Sequence, residues 1–223
     1  MCTWAMRSLL IEDGDRLILV DTGIGNKQSE KFFNHYYLHG DFSLDKSLAD
    51  KGFHRDDITD VFLTHLHFDH VGGAIEFDSS KDAFRPAFKN ANFWSNADHW
   101  KWATEPNPRE KASFLKENII PIEESGQLKF IDHNGEWTKN AFTNIEVFFA
   151  NGHTDAQMIP LISYKGKKIA FMADLLPSAA HVPLPYVMGY DTRPLLTMQE
   201  KASFLEQAAE EEWVLFLEHD SVN

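Results

Sequence analysis

The chain has one cysteine, Cys2, in 223 residues, so no intrachain disulfide can form and a reducing compartment is permitted. It has no apolar run near the ~18 residues that a membrane span requires, and no signal-peptide pattern precedes its first strand-like segment. A cytoplasmic location is therefore expected, with secretion open if the natural chain begins further upstream. Basic residues are scarce: 21 Lys and Arg stand against 34 Asp and Glu, a formal charge of −13 with no Lys/Arg cluster. That balance disfavours nucleic acid or an anionic membrane as the main partner. A fixed repeat is also absent. The hexapeptide Glu-Lys-Ala-Ser-Phe-Leu occurs at 110–115 and 200–205, but no period follows, so a solenoid is excluded.

What is present reads as one domain over residues 1–223, long enough to bury a core without staples. Residues 9–11 and 17–20 flank an Asp-Gly turn and predict a β-hairpin. Phe32, Phe33, Tyr36 and Tyr37 mark one face of a short helix, and 44–51 predicts another, closed by Gly52. Strands are expected at 58–63, 91–94, 145–150, 158–164, 168–172 and 213–217, with two or three between Gly126 and Gly152. The last of these is continuously apolar, the pattern of a strand buried on both faces. Asn107 with Glu110, and Thr197 with Glu200, resemble capping boxes that open helices. Strands, helices and hairpins alternate, which predicts an α/β (α+β) fold with helices covering sheet faces.

The informative segment is His65-Leu66-His67-Phe68-Asp69-His70, four metal-capable side chains in six residues directly after an apolar strand. A solvated polar loop would account for an isolated His pair, but not for this cluster followed by Gly72-Gly73. While the chain stays extended, His65 and His67 point the same way. A turn after His67 aims Asp69 and His70 at a neighbouring point, a geometry suited to two ions side by side. Imidazole with carboxylate favours zinc, iron, manganese or cobalt over calcium.

Residues 64–73 resemble the His-x-His-x-Asp-His signature of the metallo-β-lactamase superfamily. The resemblance implies an αβ/βα four-layer sandwich with the metals at one edge of two packed sheets. It also implies three further ligands in the order His, Asp, His, each beyond a strand. His153 in Asn151-Gly152-His153-Thr154, Asp174 after 169–172, and His219 after 213–217 fill those positions. By the family pattern His65, His67 and His153 hold one ion, Asp69, His70 and His219 the other, and Asp174 bridges them. Two divalent ions are implied, zinc foremost with manganese, iron or cobalt as alternatives. Cys2 cannot occupy the Asp174 position, so antibiotic cleavage is disfavoured. His67 stands where the flavodiiron branch has Glu, which disfavours oxygen reduction.

The loop at 175–194, rich in proline and aromatics, is closest to the lactonase, methyl parathion hydrolase and arylesterase-like branch. The implied reaction is hydrolysis of a lactone, carboxylic ester or phosphotriester by a hydroxide shared between the ions, with quorum quenching as one biological use. Asp69 is the expected proton shuttle to the leaving group. A glyoxalase II-type thioesterase and a catalytically idle metal-binding protein are the rival readings. Phe68, His181 and Tyr186 are expected at the substrate, and Asp21 and Asp155 behind the ligands, orienting histidines. His35, His39, His54, His99 and His133 read as surface or structural. Family members usually carry a strand before the first hairpin and further elements after the last His, so truncation at both ends is expected. The expected partner is a small molecule, with a homodimer possible.

Overall fold

The computed structural model describes residues 3–223. Met1 and Cys2 lie outside the described residues, and so does any contact of the single thiol. The first half of the chain runs β1 (Leu9–Asp13), β2 (Arg16–Val20), α1 (Glu30–Phe33), α2 (Leu44–Asp50), β3 (Asp60–Phe62) and α3 (Phe68–Val71). It continues with β4 (Ile75–Asp78), β5 (Ala83–Pro86), β6 (Asn92–Ser95), α4 (Ala97–Thr104), α5 (Lys116–Glu124) and β7 (Leu128–Phe130). The second half holds β8 (Trp137–Phe142), β9 (Ile145–Ala150), β10 (Gln157–Tyr164), β11 (Lys167–Phe171), α6 (Pro194–Glu210) and β12 (Val214–Phe216).

These strands form two five-stranded sheets, β1-β2-β3-β6-β7 and β12-β11-β10-β9-β8, with β4-β5 a separate hairpin. The apolar run of β2 is explained by burial on both faces. Ile18 and Val20 enter one core cluster, while Leu17 and Leu19 enter the other, as a period of two requires. Phe62 and its neighbour Val61 divide in the same way. The cluster holding Ile18, Val20 and Phe62 also holds Phe149, Ile159 and Phe171 of the second sheet, so it fills the space between the sheets. On the outer side of the first sheet, Leu48, Trp100, Ile119 and Ile122 bring in α2, α4 and α5. Phe204 of α6 packs on Phe148 of β9, centroids 5.1 Å apart, which covers the second sheet. The result is the four-layer αβ/βα sandwich. Each fully buried Phe or Ile contributes about 1.5–3 kcal/mol to holding the layers together.

Several local expectations change. The first hairpin turns at Gly14-Asp15, since Asp13 pairs with Arg16, and Gly14 supplies the positive φ of 63°. The strand expected at 213–217 is an edge strand, paired only with β11, and its Val214 is exposed. Leu215 and Phe216 are only partly buried against the core, so the apolar run does not mark a strand enclosed on both faces. No helix starts at Asn107. Its side chain accepts from the amides of Arg109 and Glu110 in a turn, and α5 begins only at Lys116. α6 starts at Pro194, where a fixed φ suits the first helical position. Thr197 is therefore already inside the helix, and Glu200 does not close a capping box.

Candidate metal centre

All of the turns that carry candidate ligands lie at one edge of the two sheets because they follow β3, β9, β11 and β12. The turn after β3 is fixed by Asp21, which ends β2 in the left-handed region at φ 54°. Its Oδ1 accepts from the Thr64 amide at 2.8 Å and its Oδ2 from the Thr64 hydroxyl at 2.6 Å. Oδ2 also lies 2.9 Å from His70 Nδ1, so one buried carboxylate pins both ends of the His65–His70 segment. Behind it, a Cβ on Gly72 would lie 2.2 Å from the Ile24 carbonyl oxygen, and one on Gly73 2.2 Å from that of Thr22. The glycine pair is what lets these two backbones approach.

Three imidazole nitrogens converge: His67 Nδ1 lies 3.1 Å from His65 Nε2 and 3.1 Å from His153 Nε2. Asp174 Oδ2 is 3.1 Å from His153 Nε2, 3.6 Å from His70 Nε2 and 3.8 Å from His65 Nε2. Its other oxygen, Oδ1, is 2.9 Å from His219 Nε2. His219 and His70 face each other, Nε2 to Nε2, at 3.3 Å, with Asp69 Oδ2 3.9 Å from His70 Nε2. Two groups result, His65-His67-His153-Asp174 and Asp69-His70-His219, each compact enough to hold one ion. Asp174 stands between them.

The residues fit divalent metal. The donors are imidazole nitrogen and carboxylate oxygen, the set that suits zinc and its transition-metal neighbours. Asp174 Oδ1 is buried and, although 2.9 Å from His219 Nε2, makes no aligned hydrogen bond, as expected of an atom shaped for a ligand rather than for protein. Burial lowers His65 well below the usual imidazole range and lowers His67, with neighbouring histidines adding to it for both. Burial would lower His153 and His219 too, but Asp174, joined by Asp191 at His153 and Glu218 at His219, outweighs it and draws each up to about 9. The same contest raises His70, where Glu218, Asp174 and Asp69 surround the ring.

The outer nitrogens are held as firmly as the inner ones, which fixes ring orientation. His153 Nδ1 lies 2.9 Å from Asp191 Oδ1, and His219 Nδ1 donates to the Ala5 carbonyl at 2.8 Å. His70 has a second carboxylate, Glu218, at 3.2 Å, whose burial pushes it up to about 7. His67 Nε2 faces Glu110 Oε1 at 3.4 Å. Glu110 also accepts from Thr154 Oγ1 at 2.6 Å and Trp102 Nε1 at 2.8 Å. Burial would raise its pKa, but hydrogen bonds with His67, Thr154 and Asn107 hold it down to about 2.

Not every expected residue sits where the sequence pointed. Asp21 is behind the ligands. The Asp155 carboxylate instead accepts from Arg193 at 2.8 Å, and Asp191 takes the place beside His153. Asp155 contributes only its carbonyl, to His99 Nδ1 at 2.5 Å, while His99 Nε2 accepts from the Leu66 amide. His99 is thus buried and props the ligand loop, with burial lowering it to about 4. Phe68 packs against Phe32 and Tyr36, centroids 5.4 and 4.9 Å away. His181 is half-buried, with Ser178 Oγ 2.8 Å from its Nδ1, and Tyr186 is 62% exposed. Trp4, which sequence reasoning did not single out, lies 5.1 Å from the His219 ring. A surface cavity of about 390 Å³ lined by His133, Phe149 and Glu200 includes none of the converging side chains.

The family model described as the metallo-beta-lactamase superfamily matches residues 7–219. The chain belongs to that superfamily. It is a hydrolase of this group, and its fold recurs in solved structures. A probable metal-dependent hydrolase from Staphylococcus aureus shares 26% identity at TM-score 0.85, over 97% of this chain and 75% of that one. AidC, a dizinc quorum-quenching lactonase, shares 27% identity at TM-score 0.75, over 98% and 74%. The fold is also that of AiiA from B. thuringiensis, at 19% identity and TM-score 0.72, over 98% and 82%. No curated protein matches the sequence. Among the described residues no helix is long and apolar enough to cross a membrane.

Proposed function

We propose that this superfamily member is a dinuclear metal-dependent lactonase or esterase acting on an uncharged small molecule. The observation that carries this reading is Asp174, whose two oxygens reach the two histidine groups separately, at 3.1 Å from His153 and 2.9 Å from His219. The likeness to a dizinc lactonase supports it. His65, His67 and His153 would hold one ion, Asp69, His70 and His219 the other, with Asp174 shared. Two such ions would supply a nucleophile drawn from water near neutral pH and positive charge for a developing oxyanion. Zinc is the first choice, with manganese, iron and cobalt as alternatives.

The rest of the chemistry falls to side chains around the ligands. The Asp69 side chain is 30% exposed, against 8% for Asp174 and none for His70. It is therefore the ligand carboxylate open to substrate, placed to hold a proton for the departing oxygen. Phe68, Phe32 and Tyr36 form an apolar wall beside it. His181 and Tyr186 belong to the loop after Asp174, where exposed Val182, Leu184 and Tyr190 favour a moderately hydrophobic substrate.

The test is a substrate panel on zinc-, manganese- and cobalt-loaded protein, with metal content measured on the same sample. Two metal equivalents are expected, with kcat/KM for lactones or aryl esters at least roughly tenfold above that for S-lactoylglutathione. At most one bound ion at saturation removes the dinuclear assignment. Faster hydrolysis of the glutathione thioester than of every lactone and ester would establish the thioesterase reading instead.

A further inference from the structure

Lys201 is the only buried lysine among the described residues, 1% exposed, and no carboxylate hydrogen-bonds to it. A buried ammonium is costly unless its donors are satisfied, and it has three. All three go to backbone carbonyls of one arc of chain: His181 at 2.8 Å, Pro183 at 3.2 Å and Tyr186 at 2.7 Å. The arc curls around the ammonium as around a bound cation. With these carbonyls turned inward, Val182, Leu184 and Tyr186 are left exposed. The arc lies between Asp174 and Asp191, which contacts His153 Nδ1. Immediately before Lys201 on α6, Glu200 accepts from the Asn151 and Gly152 amides at 2.7 and 2.9 Å. Thr197 lies against Gly152 so closely that a Cβ there would sit 2.3 Å from the Thr197 amide nitrogen. Residues 197, 200 and 201 share one helix face, so a single turn of α6 braces both the turn before His153 and the loop after Asp174.

We infer that Lys201 is a positioning residue for substrate selection, its ammonium moulding the 181–186 arc into a fixed wall for the part of the substrate remote from the ligand histidines. The role is geometric. A methionine fills similar space without donors, and an arginine keeps the charge but spreads its donors over a planar fork that cannot serve three carbonyls from one point.

The tests use the full chain, metal-loaded, and the kinetic arm rests on the lactonase reading. In Lys201→Met, deuterium uptake at the amides of 181–187 is expected to quicken at least about tenfold. KM for a lactone bearing a long acyl chain is expected to rise about tenfold, with kcat changed less than about twofold and metal content unaltered. Lys201→Arg should fall between Lys201→Met and wild type. Propylammonium added to Lys201→Ala should restore part of the protection. Unchanged uptake in Lys201→Met overturns the inference, and so does a loss confined to kcat and metal content, which would make Lys201 a mere support for His153. If Lys201→Met does not fold, the wild-type ammonium protons decide by NMR: slow exchange with water supports the three-carbonyl cage, and rapid exchange rules it out. A wild type that turns over no lactone counts against the proposed function alone, and the uptake comparison still decides the role of Lys201.

Discussion

Two loops meet at the candidate site, the turn after β3 and the loop between Asp174 and Asp191, and they are built on opposite plans. In the turn after β3, side chains are buried and committed. His65 and His70 are fully buried, Asp21 clamps both ends, and the Gly72-Gly73 backbone is pressed against residues 22–24. In the loop at 175–193 the backbone is committed instead. Lys201 takes three of its carbonyls, and Arg109 donates to those of Gly189 and Asp191 at 2.8 and 3.0 Å. Tyr186 and Tyr190 are left exposed. A metal centre needs donor atoms fixed within fractions of an ångström, so their side chains must be immobile. A substrate wall needs a fixed path with free surface. The first loop therefore tolerates change poorly, and the second tolerates it at its exposed side chains but not at buried Leu175, Leu176, Met188 and Asp191.

Asp174 is the sharpest probe of that contrast, because it belongs to both plans. Asp174→Ala is expected to lower occupancy of both ion sites and to reduce kcat/KM by more than the roughly 10–100-fold seen when outer partners of a metal site are changed. Elemental analysis showing two full equivalents in this variant would break the comparison at its centre. Glu110→Gln comes next, with a loss of metal affinity within about 10–100-fold, read by competition with a chelator. Glu110 also gives a pH signature in the metal-free protein. Its folded value of about 2 lies below the unfolded carboxylate value. Its stabilising contribution is thus present above about 4.5 and lost as pH falls toward 2. Glu110→Gln should flatten the stability profile over that acid limb, and an unchanged profile in urea titrations would remove Glu110 from the network.

Gly73→Ala addresses the tight backbone contact alone. Its Cβ would meet the Thr22 carbonyl oxygen at 2.2 Å, so a loss of about 1–3 kcal/mol is expected, visible as a lower Tm. The smallest effect belongs to the second loop. Tyr186→Phe should leave stability within about 0.5 kcal/mol and metal content intact, while lowering kcat/KM if the hydroxyl meets substrate. A metal loss in this variant would show that the loop is not the tolerant region described above.

The two loops also differ in how far they could be read in advance. His65, His67, Asp69 and His70 were legible because they are neighbours in the chain, placed by one strand end. His153, Asp174 and His219 were legible because each follows an apolar strand, and strands of one fold end at a common edge. Secondary structure between them was legible where periodicity is strong, as in β2, β9 and β10. It was misread at Glu110, which suits a helix start, and at the strand ending before His219, whose apolar run does not reveal an edge position.

Composition and local order by themselves determined the fold class, the family resemblance and the ligand candidates, because strand periodicity and the His-x-His-x-Asp-His spacing act over a few residues. Asp21 behind His70 was expected, but only the tertiary structure decided what stands behind three other candidate ligands, Glu110 for His67, Asp191 for His153 and the Ala5 carbonyl for His219, and that Lys201 lies beneath the loop. The physical reason is distance along the chain. Those partners lie 43, 38 and 214 residues from their histidines, and a charged group buried when two layers close needs only a donor or acceptor in reach, from whatever part of the chain the packing delivers.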